Sequence, residues 1–209
     1  MADFNARSLG LLCLALLAAA AAARAAAPLE RGTVVLDAQS LDLTLDNVVY
    51  RRVHITQGDV SISADQGQGQ AQGQANRKSK EPDFNNSLWV FRGNVKISLA
   101  GGKLSANEAQ ITFYHQQLTR AVATGSPATF EERVAKTGRL AHGTSDSIDF
   151  DVDKGVVHLL NDAYLTDGQY EFRGSTLKYN VNTQATAAES TDPGSQQIHI
   201  VVPPPPAKP

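Results

Sequence analysis

Apolar residues recur at every second position through most of the chain beyond residue 32. The alternation is clearest in three related runs, V53-H-I-T-Q-G58, V95-K-I-S-L-A-G101 and A163-Y-L-T-D-G168. Gly, Asn, Asp and Thr residues mark the corners between such runs, and no stripe with helical spacing interrupts them. A period of two with frequent corners is typical of strands that share one apolar face. The repetition predicts a nearly all-β domain of many short antiparallel strands stacked along one axis.

The parity of each run predicts which side chains face the interior. Positions such as Asp42, Lys96 and Asp149 alternate with the apolar ones and are expected in water. The apolar side chains would either pack as an ordinary core or line a cleft too wide to close. The predicted inward set is Leu41, Leu43 and Leu45, then Val95, Ile97 and Leu99, then Ile111 and Phe113, then Ile148, Phe150 and Val152, and finally Leu177 and Tyr179.

Residues 1–25 predict a cleaved secretory signal peptide. The segment is rich in Leu and Ala but short for a membrane span, and Ala23 and Ala25 fit the small-x-small pattern before a cleavage site. Cys13 is the single cysteine; it follows Leu12, where a lipid-modified cysteine requires a small residue. We therefore expect an exported protein whose mature chain has no disulfide, reactive thiol or thiolate metal site.

Two segments depart from the alternating pattern. Residues 66–83 are rich in Gly and Gln and predict a flexible surface loop, with a docking finger at the basic stretch 77–80 as the alternative. Residues 203–209 are rich in proline, which cannot donate to a sheet, and predict an extended tail. One domain is expected over 26–202.

The charge balance gives no sign of a nucleic-acid partner. Without Arg7, Arg24 and Asp3 of the signal segment, the 19 basic and 21 acidic residues fall to 17 and 20, a net charge of −3. Nucleic-acid binding by a domain normally depends on a basic surface, so no nucleic-acid partner is expected.

No motif of known catalytic or metal-binding spacing stands out. The five histidines are scattered, and no cofactor or metal is expected. The run D149-F-D-V-D-K-G155 resembles the start of a calcium loop, but Lys154 occupies the position that requires Gly and Leu160 the position that requires Glu. We do not expect this protein to be an enzyme. The alternative from another class, a β-solenoid enzyme acting on surface polysaccharide, would need paired inward carboxylates.

Six segments together resemble the OstA-like family. They are S40-L-D-L, F91-R-G-N-V-K-I-S, A123-T-G-S-P-A-T-F130, H142-G-T-S-D-S-I-D-F150, V157-H-L-L-N-D-A-Y-L165 and G174-S-T-L-K-Y179. The resemblance implies an open, twisted β-jellyroll whose V-shaped apolar groove holds the acyl chains of lipid A. It also implies a periplasmic protein that carries lipopolysaccharide from the inner to the outer membrane as a head-to-tail homo-oligomer. The implied partners are lipopolysaccharide, LptC at the inner membrane and LptD at the outer membrane.

Carried over position by position, the resemblance places groove residues at Val34, Leu36, Phe130, Phe150 and Val152. With the parity argument, the predicted lipid-binding groove comprises Val34, Leu36, Val95, Ile97, Ile111, Phe113, Phe130, Ile148, Phe150, Val152, Leu177 and Tyr179. The alternative within the pathway is an inner-membrane-associated LptC-like component. A further alternative is a scaffold that binds no lipid and joins proteins through its sheet edges.

The resemblance also bears on strand number and on the sheet edges. Residues 52–58 and 93–101 both match a single family segment, which predicts an additional strand unit. Residues 33–39 and 197–202 are expected at the two edges of the sheet. Unpaired edge strands can add a strand from a neighbouring molecule, so both edges are predicted to pair with other copies or with transport partners.

Overall fold

The computed structural model describes residues 33–43, 48–71, 82–99, 102–134, 137–189 and 198–202. Twelve strands occupy these ranges and form one antiparallel sheet. No helix among the described residues has the length and apolarity needed to cross a membrane. The predicted signal peptide, residues 1–25, and the proline-rich tail, 203–209, lie outside the described residues.

The strands follow one another across the sheet in the order β1-β3-β4-β5-β6-β7-β8-β9-β10-β11, with β2 also paired to β3 and β12 also paired to β10. In chain order they are β1 (Val35–Asp37), β2 (Ser40–Leu43), β3 (Val48–Gln57), β4 (Val60–Ala71), β5 (Asn86–Leu99), β6 (Gly102–Tyr114), β7 (Gln117–Arg133), β8 (Leu140–Asp151), β9 (Val156–Thr166), β10 (Glu171–Asn180), β11 (Ala185–Glu189) and β12 (His199–Val201). The all-β prediction is confirmed, but most strands are longer than the short ones expected, and β7 reaches 17 residues.

Two short strands share each edge of the sheet. At one edge, β1 pairs with the second half of β3 and β2 with its first half. At the other edge, β11 and β12 divide β10 in the same way. The strand order does not close on itself, so the sheet is open. Both predicted edge segments lie where expected, residues 35–37 in β1 and 199–201 in β12, while residue 197 lies outside the described residues.

A line of interruptions, here called the crease, crosses the long strands from β3 to β10. Regular pairing is broken at Arg52, Asp65, Asn94, Asn107, Ser126, Asp146, Asp162 and Ser175. Several backbones there adopt the left-handed conformation, with φ of 48° at Asn94 and at Asp162. Asn and Asp tolerate this conformation better than most residues, and bulges bend the strands that contain them. Asn94 and Asp162, which read as corners between strands, therefore lie at bends within long strands.

Polar side chains at the crease replace part of the missing ladder. Asn94 Nδ2 donates to Asp65 Oδ2 at 2.8 Å, and the Ser145 hydroxyl donates to the Ser147 carbonyl at 2.8 Å. Gly93 has a φ of +77°, and a Cβ there would lie 2.5 Å from the Asp65 carboxylate, so only glycine fits. The residues next to the bend therefore stabilise it.

The crease divides the sheet into two arms. Arm 1 contains β2, 48–51, 66–71, 86–92, 108–114, 117–124, 147–151, 156–160, 176–180 and β11; arm 2 contains β1, 53–57, 60–64, 95–99, 102–106, 128–133, 140–145, 163–166, 171–174 and β12. Their inner faces form one apolar core. The arms touch where the rings of Phe130 and Tyr179 approach to 5.8 Å between centroids, and where Gly143 leaves space for Leu159.

The predicted Gln/Gly loop is wrong in its first third, because β4 continues to Ala71 and pairs with β5. A Cβ at Gly69 would lie 2.6 Å from the Trp89 ring, and one at Gly67 would lie 3.1 Å from Phe91. Glycine is therefore the inward residue that these rings allow, while glutamine occupies the alternate positions. The run is a strand with the usual period of two and an inner face of minimal size. The rest of the predicted loop up to residue 81 lies outside the described residues.

Candidate functional site

All twelve predicted groove residues lie on the apolar inner face. Nine are buried, with at most 6% of the residue exposed, and Val34, Leu36 and Val152 are half-buried against the same core. Arm 1 contributes Ile111, Phe113, Ile148, Phe150, Leu177 and Tyr179, whereas arm 2 contributes Leu36, Val95, Ile97 and Phe130. Parity within single strands had predicted nine of the twelve, and the family resemblance had supplied Val34, Leu36 and Phe130.

Leu41 and Leu43 correct the parity prediction. Both were expected inside, but they are 46% and 52% exposed, and Leu45 lies outside the described residues. Leu41 is paired with the buried Tyr50, and directly paired residues share a face of the sheet. Leu41 therefore has the inward direction, but β2 is an edge strand, so the described part of the chain leaves its side chain uncovered.

An aromatic group at the end of arm 1 was missed by the groove prediction. Trp89 is fully buried, and Phe84 stacks on it with centroids 4.8 Å apart and meets Phe113 edge-on at 5.1 Å. The indole nitrogen of Trp89 donates to the Asp83 carbonyl at 3.0 Å, which holds the segment before β5 against the core. The alternation of Trp89 and Phe91 was the sequence signal for this inward-facing group.

A hydrogen bond links the tips of the two arms. Gln57 at the end of β3 in arm 2 donates through Nε2 to the carbonyl oxygen of Gln116, in the turn between β6 and β7 of arm 1, at 2.5 Å. Gln116 in turn donates its backbone N–H to the Phe84 carbonyl at 3.0 Å. The β3–β4 tip of arm 2 therefore contacts the β6–β7 tip of arm 1.

Two ionisable side chains approach each other in the apolar interior. Glu132 lies two residues after Phe130 on arm 2 and therefore points to the same face. The Tyr179 side chain approaches Glu132 from arm 1. Burial raises the pKa of Glu132, and the nearby Tyr179 hydroxyl acts in the opposite direction. Burial, followed by the Glu132 carboxylate, raises the pKa of Tyr179 far above its ordinary value. The contact is looser than a well-formed hydrogen bond, because neither Glu132 Oε2 nor the Tyr179 hydroxyl meets hydrogen-bond geometry with any described group.

The acidic run after Ile148 points the other way. Arg120 Nη2 lies 2.6 Å from Asp149 Oδ2, and Lys154 Nζ lies 2.6 Å from Asp151 Oδ2. The hydrogen bond from Lys154 lowers the pKa of Asp151, while the bond to Asp149 raises the pKa of Arg120. Among the described residues, no cluster of three or more His, Cys, Asp and Glu side chains could hold a metal ion. These carboxylates form ion pairs on the outer face.

The site is thus an apolar surface made by two arms that face each other. Its lining is aliphatic and aromatic from β3 to β10, with the Glu132 and Tyr179 pair as a polar element. Such a surface offers dispersion contacts and shelter from water. It suits the hydrocarbon part of an amphiphile.

Comparison with solved structures finds a protein of the same fold. The crystal structure of LptH from Pseudomonas aeruginosa, described as the LptA-homologous periplasmic component of the lipopolysaccharide transport device, matches with a TM-score of 0.52 and 18% sequence identity. The match covers 85% of this chain and 100% of that chain. This likeness confirms the predicted open β-jellyroll architecture. No curated protein sequence matches the chain.

A protein-family model matches residues 74–185, which is more than half of the 209 residues. The match begins before β5 and ends at the first residue of β11, so β1 to β4 lie outside it, although they continue the same sheet. The family is described as LptA/(LptD N-terminal domain) LPS transport protein. The chain belongs to this family of lipopolysaccharide transport proteins.

Proposed function

We propose that this protein is a periplasmic bridge that carries lipopolysaccharide from the inner to the outer membrane, with the acyl chains of lipid A between its two arms. The observation that carries the proposal is the apolar inner face, to which strands from β3 to β10 contribute, in a chain of a lipopolysaccharide transport family. An acyl chain of about ten methylenes opposes transfer through water by about 8 kcal/mol, at about 0.8 kcal/mol per methylene. Contact with this face would remove most of that cost.

Acyl chains can reach the inner face only if the arms move apart. Phe130, Ile148 and Leu177 are at most 1% exposed, so their side chains are already covered by other parts of the protein. The crease is the natural hinge, because regular backbone pairing is interrupted there in each ladder from β3 to β10. The contact between Gln57 and Gln116 and the ring contact of Phe130 with Tyr179 would separate on opening.

The edges of the sheet support head-to-tail assembly. Val35 and Leu43 at one edge are 46% and 52% exposed, and Ile200 and Val201 at the other are 53% and 41% exposed. Soluble proteins normally protect such edges, since they pair readily with other strands. A neighbouring copy, LptC at the inner membrane or LptD at the outer membrane would cover them by strand addition.

The proposal includes a periplasmic location and a cleaved signal peptide at residues 1–25. LptH, which shares the fold, is a periplasmic component of its transport device. An inner-membrane-associated LptC-like component is the alternative within the pathway. Mass spectrometry of the mature N-terminus separates the two, because an anchored component would retain the first 25 residues.

The β-solenoid enzyme is less well supported. Asp149 and Asp151, the most conspicuous pair of acids, are engaged with Arg120 and Lys154 on the outer face. A glycosidase would need two carboxylates aimed at its substrate. The positions of these two side chains argue for binding rather than hydrolysis.

The direct test is binding of intact lipopolysaccharide compared with the same molecule stripped of its acyl chains. We expect the intact molecule to bind and the deacylated one to fail, because the proposed contacts are to hydrocarbon. Equal binding of both would contradict the proposal and indicate recognition of the sugar.

A further inference from the structure

A short segment before β5, residues 83–85, folds over the inner face at the tip of arm 1 and is here called the cover. Its Phe84 ring stacks on Trp89 with an angle of 3° between the ring planes and meets Phe113 edge-on. Trp89 and Phe113 are at most 1% exposed, whereas Phe84 is half-buried. The chain itself therefore covers apolar surface that a lipid would otherwise contact.

Two donors on β5 hold the cover in place. The Trp89 indole nitrogen and the Ser87 hydroxyl both donate to the Asp83 carbonyl, at 3.0 Å and 2.7 Å. Ser87 is fully buried, like Trp89. Both donors would lose this partner if the cover moved away, and an unpaired buried donor is costly. These hydrogen bonds therefore favour a cover that stays in place.

The backbone of the cover is also joined to arm 1. In the turn between β6 and β7, the His115 N–H donates to the Asn85 carbonyl at 2.6 Å. The neighbouring N–H of Gln116 donates to the Phe84 carbonyl at 3.0 Å. The cover is therefore part of arm 1 and should move with that arm when the two arms part.

Trp89 differs in this respect from inner-face residues that contact the opposite arm. Its ring contacts with Tyr50 and Phe91, at centroid distances of 5.7 Å and 5.9 Å, also lie within arm 1. By contrast, Tyr179 of arm 1 packs against Phe130 of arm 2. Opening of the arms separates the contact between Tyr179 and Phe130 but leaves the ring contacts of Trp89 intact.

We propose that Phe84 is a specificity-determining residue, which excludes acyl chains from Trp89 and confines them to the part of the inner face that opening of the arms uncovers. The inference rests on the proposed function, because it concerns the path of the same acyl chains. A chain between the two rings would need about 7–8 Å, since carbon atoms pack about 3.5–4.0 Å apart. The ring centroids of Phe84 and Trp89 are only 4.8 Å apart.

The test measures quenching of Trp89, the only tryptophan, by synthetic lipid A with a bromine at the end of each acyl chain. Bromine quenches indole fluorescence only near contact. Binding of this compound should leave most of the fluorescence of the unchanged protein. It should remove most of the fluorescence of Phe84→Ala, because the missing ring makes the indole accessible to the chains.

Three controls accompany this measurement. Tyr114→Ala removes an aromatic side chain that is 52% exposed at the same tip, and this variant should behave like the unchanged protein. Lipid A without bromine corrects for fluorescence changes that binding itself causes. Calorimetric titration measures binding of the brominated compound independently of quenching.

Phe84→Leu keeps the experiment decisive if Phe84→Ala does not fold. Leucine retains an apolar side chain but removes the stacked ring, so quenching should already exceed that of the unchanged protein. Strong quenching in the unchanged protein would overturn the exclusion, and so would unchanged quenching in the Phe84 variants that bind the compound. In both cases the proposed function would stand, because the lipid still binds. Absence of binding by the unchanged protein would overturn the exclusion and the proposed function together.

Discussion

The Gln57 side chain of arm 2 donates a hydrogen bond of 2.5 Å to the Gln116 carbonyl of arm 1. This bond joins two tips that are far from the crease along their strands, so it lies where opening would move the arms most. Together with the contact of Phe130 and Tyr179, it defines a closed arrangement whose inner face is covered. In the proposed transport, the protein leaves that closed arrangement to take up lipid and then returns to it.

Fixing the two tips together should prevent lipid uptake. Cysteines replacing Gln57 and Gln116 can be joined by a short bis-maleimide, since Cys13 in the predicted signal peptide is the only natural cysteine and Ser can replace it. The short linker should abolish lipopolysaccharide binding, because the inner face stays covered. A long flexible bis-maleimide serves as the matched control and should leave binding intact. Normal binding by the protein with the short linker would show that the arms do not need to part.

The small inward residues of β4 should be essential for stability. Gly69→Ala places a Cβ 2.6 Å from the rigid ring of Trp89, and overpacking of this kind costs about 1–3 kcal/mol. Gln70→Ala, at the neighbouring exposed position, should change the free energy of unfolding by less than about 0.5 kcal/mol. Chemical denaturation followed through the fluorescence of Trp89, the only tryptophan, measures both. Equal stability of the two variants would mean that the Gln/Gly run is not a packed strand.

The Glu132 carboxyl should make stability fall as the pH rises. Its pKa is raised in the folded state, mainly by burial, above the value of 4.5 expected when exposed. The folded protein therefore binds the proton more tightly, and this contribution is complete below that exposed value and lost as the pH rises through the folded pKa. Glu132→Gln should stabilise the protein at pH 7 relative to the unchanged chain, and the advantage should vanish below about pH 4.

The control for this pH effect is Glu131→Gln, which removes the same charge from an exposed neighbour near His142. Denaturation curves across the pH range measure both variants. An identical pH profile for Glu131→Gln and Glu132→Gln would place the effect in net charge rather than in the buried site.

Exposed apolar residues at the two edges should control self-association. Leu43→Lys on β2 and Ile200→Lys on β12 each place a charge on a side chain that is more than half exposed, so the fold should survive while edge pairing weakens. Leu140→Lys is the matched control, because Leu140 is 44% exposed but lies at the tip of arm 2, away from both edges. Light scattering over a range of protein concentrations should show smaller assemblies for the two edge variants alone. Unchanged assembly would rule out these edges as the contact.

The inner face was largely predictable because parity is a local property. Once Ile148 and Phe150 are assigned to one strand, their common direction follows without knowledge of the fold. The two-arm arrangement was not predictable in the same way. It depends on bends at residues such as Asn94 and Asp162, and an Asn or Asp has the same signature in a turn between strands as at a bend within one.

The two main errors share a physical origin in tertiary context. Leu41 points inward but is exposed, because a strand at the edge has no further neighbour to cover it. Gly67 and Gly69 read as loop residues, because only the rings of Phe91 and Trp89, at least 20 residues further along the chain, explain why glycine is needed in that strand. Neither the edge position nor the packed rings can be read from the local pattern.

The most direct measurement for the central claim is lipid capture by a photo-reactive amino acid placed separately at positions 149 and 150. Phe150 lies on the inner face and is 6% exposed, whereas Asp149 is its immediate neighbour on the outer face and is paired with Arg120. Loss of that exposed ion pair should cost little. We expect lipopolysaccharide to be captured from position 150 and scarcely from position 149. Equal capture from both positions, or capture from 149 alone, would contradict an acyl-chain path between the arms.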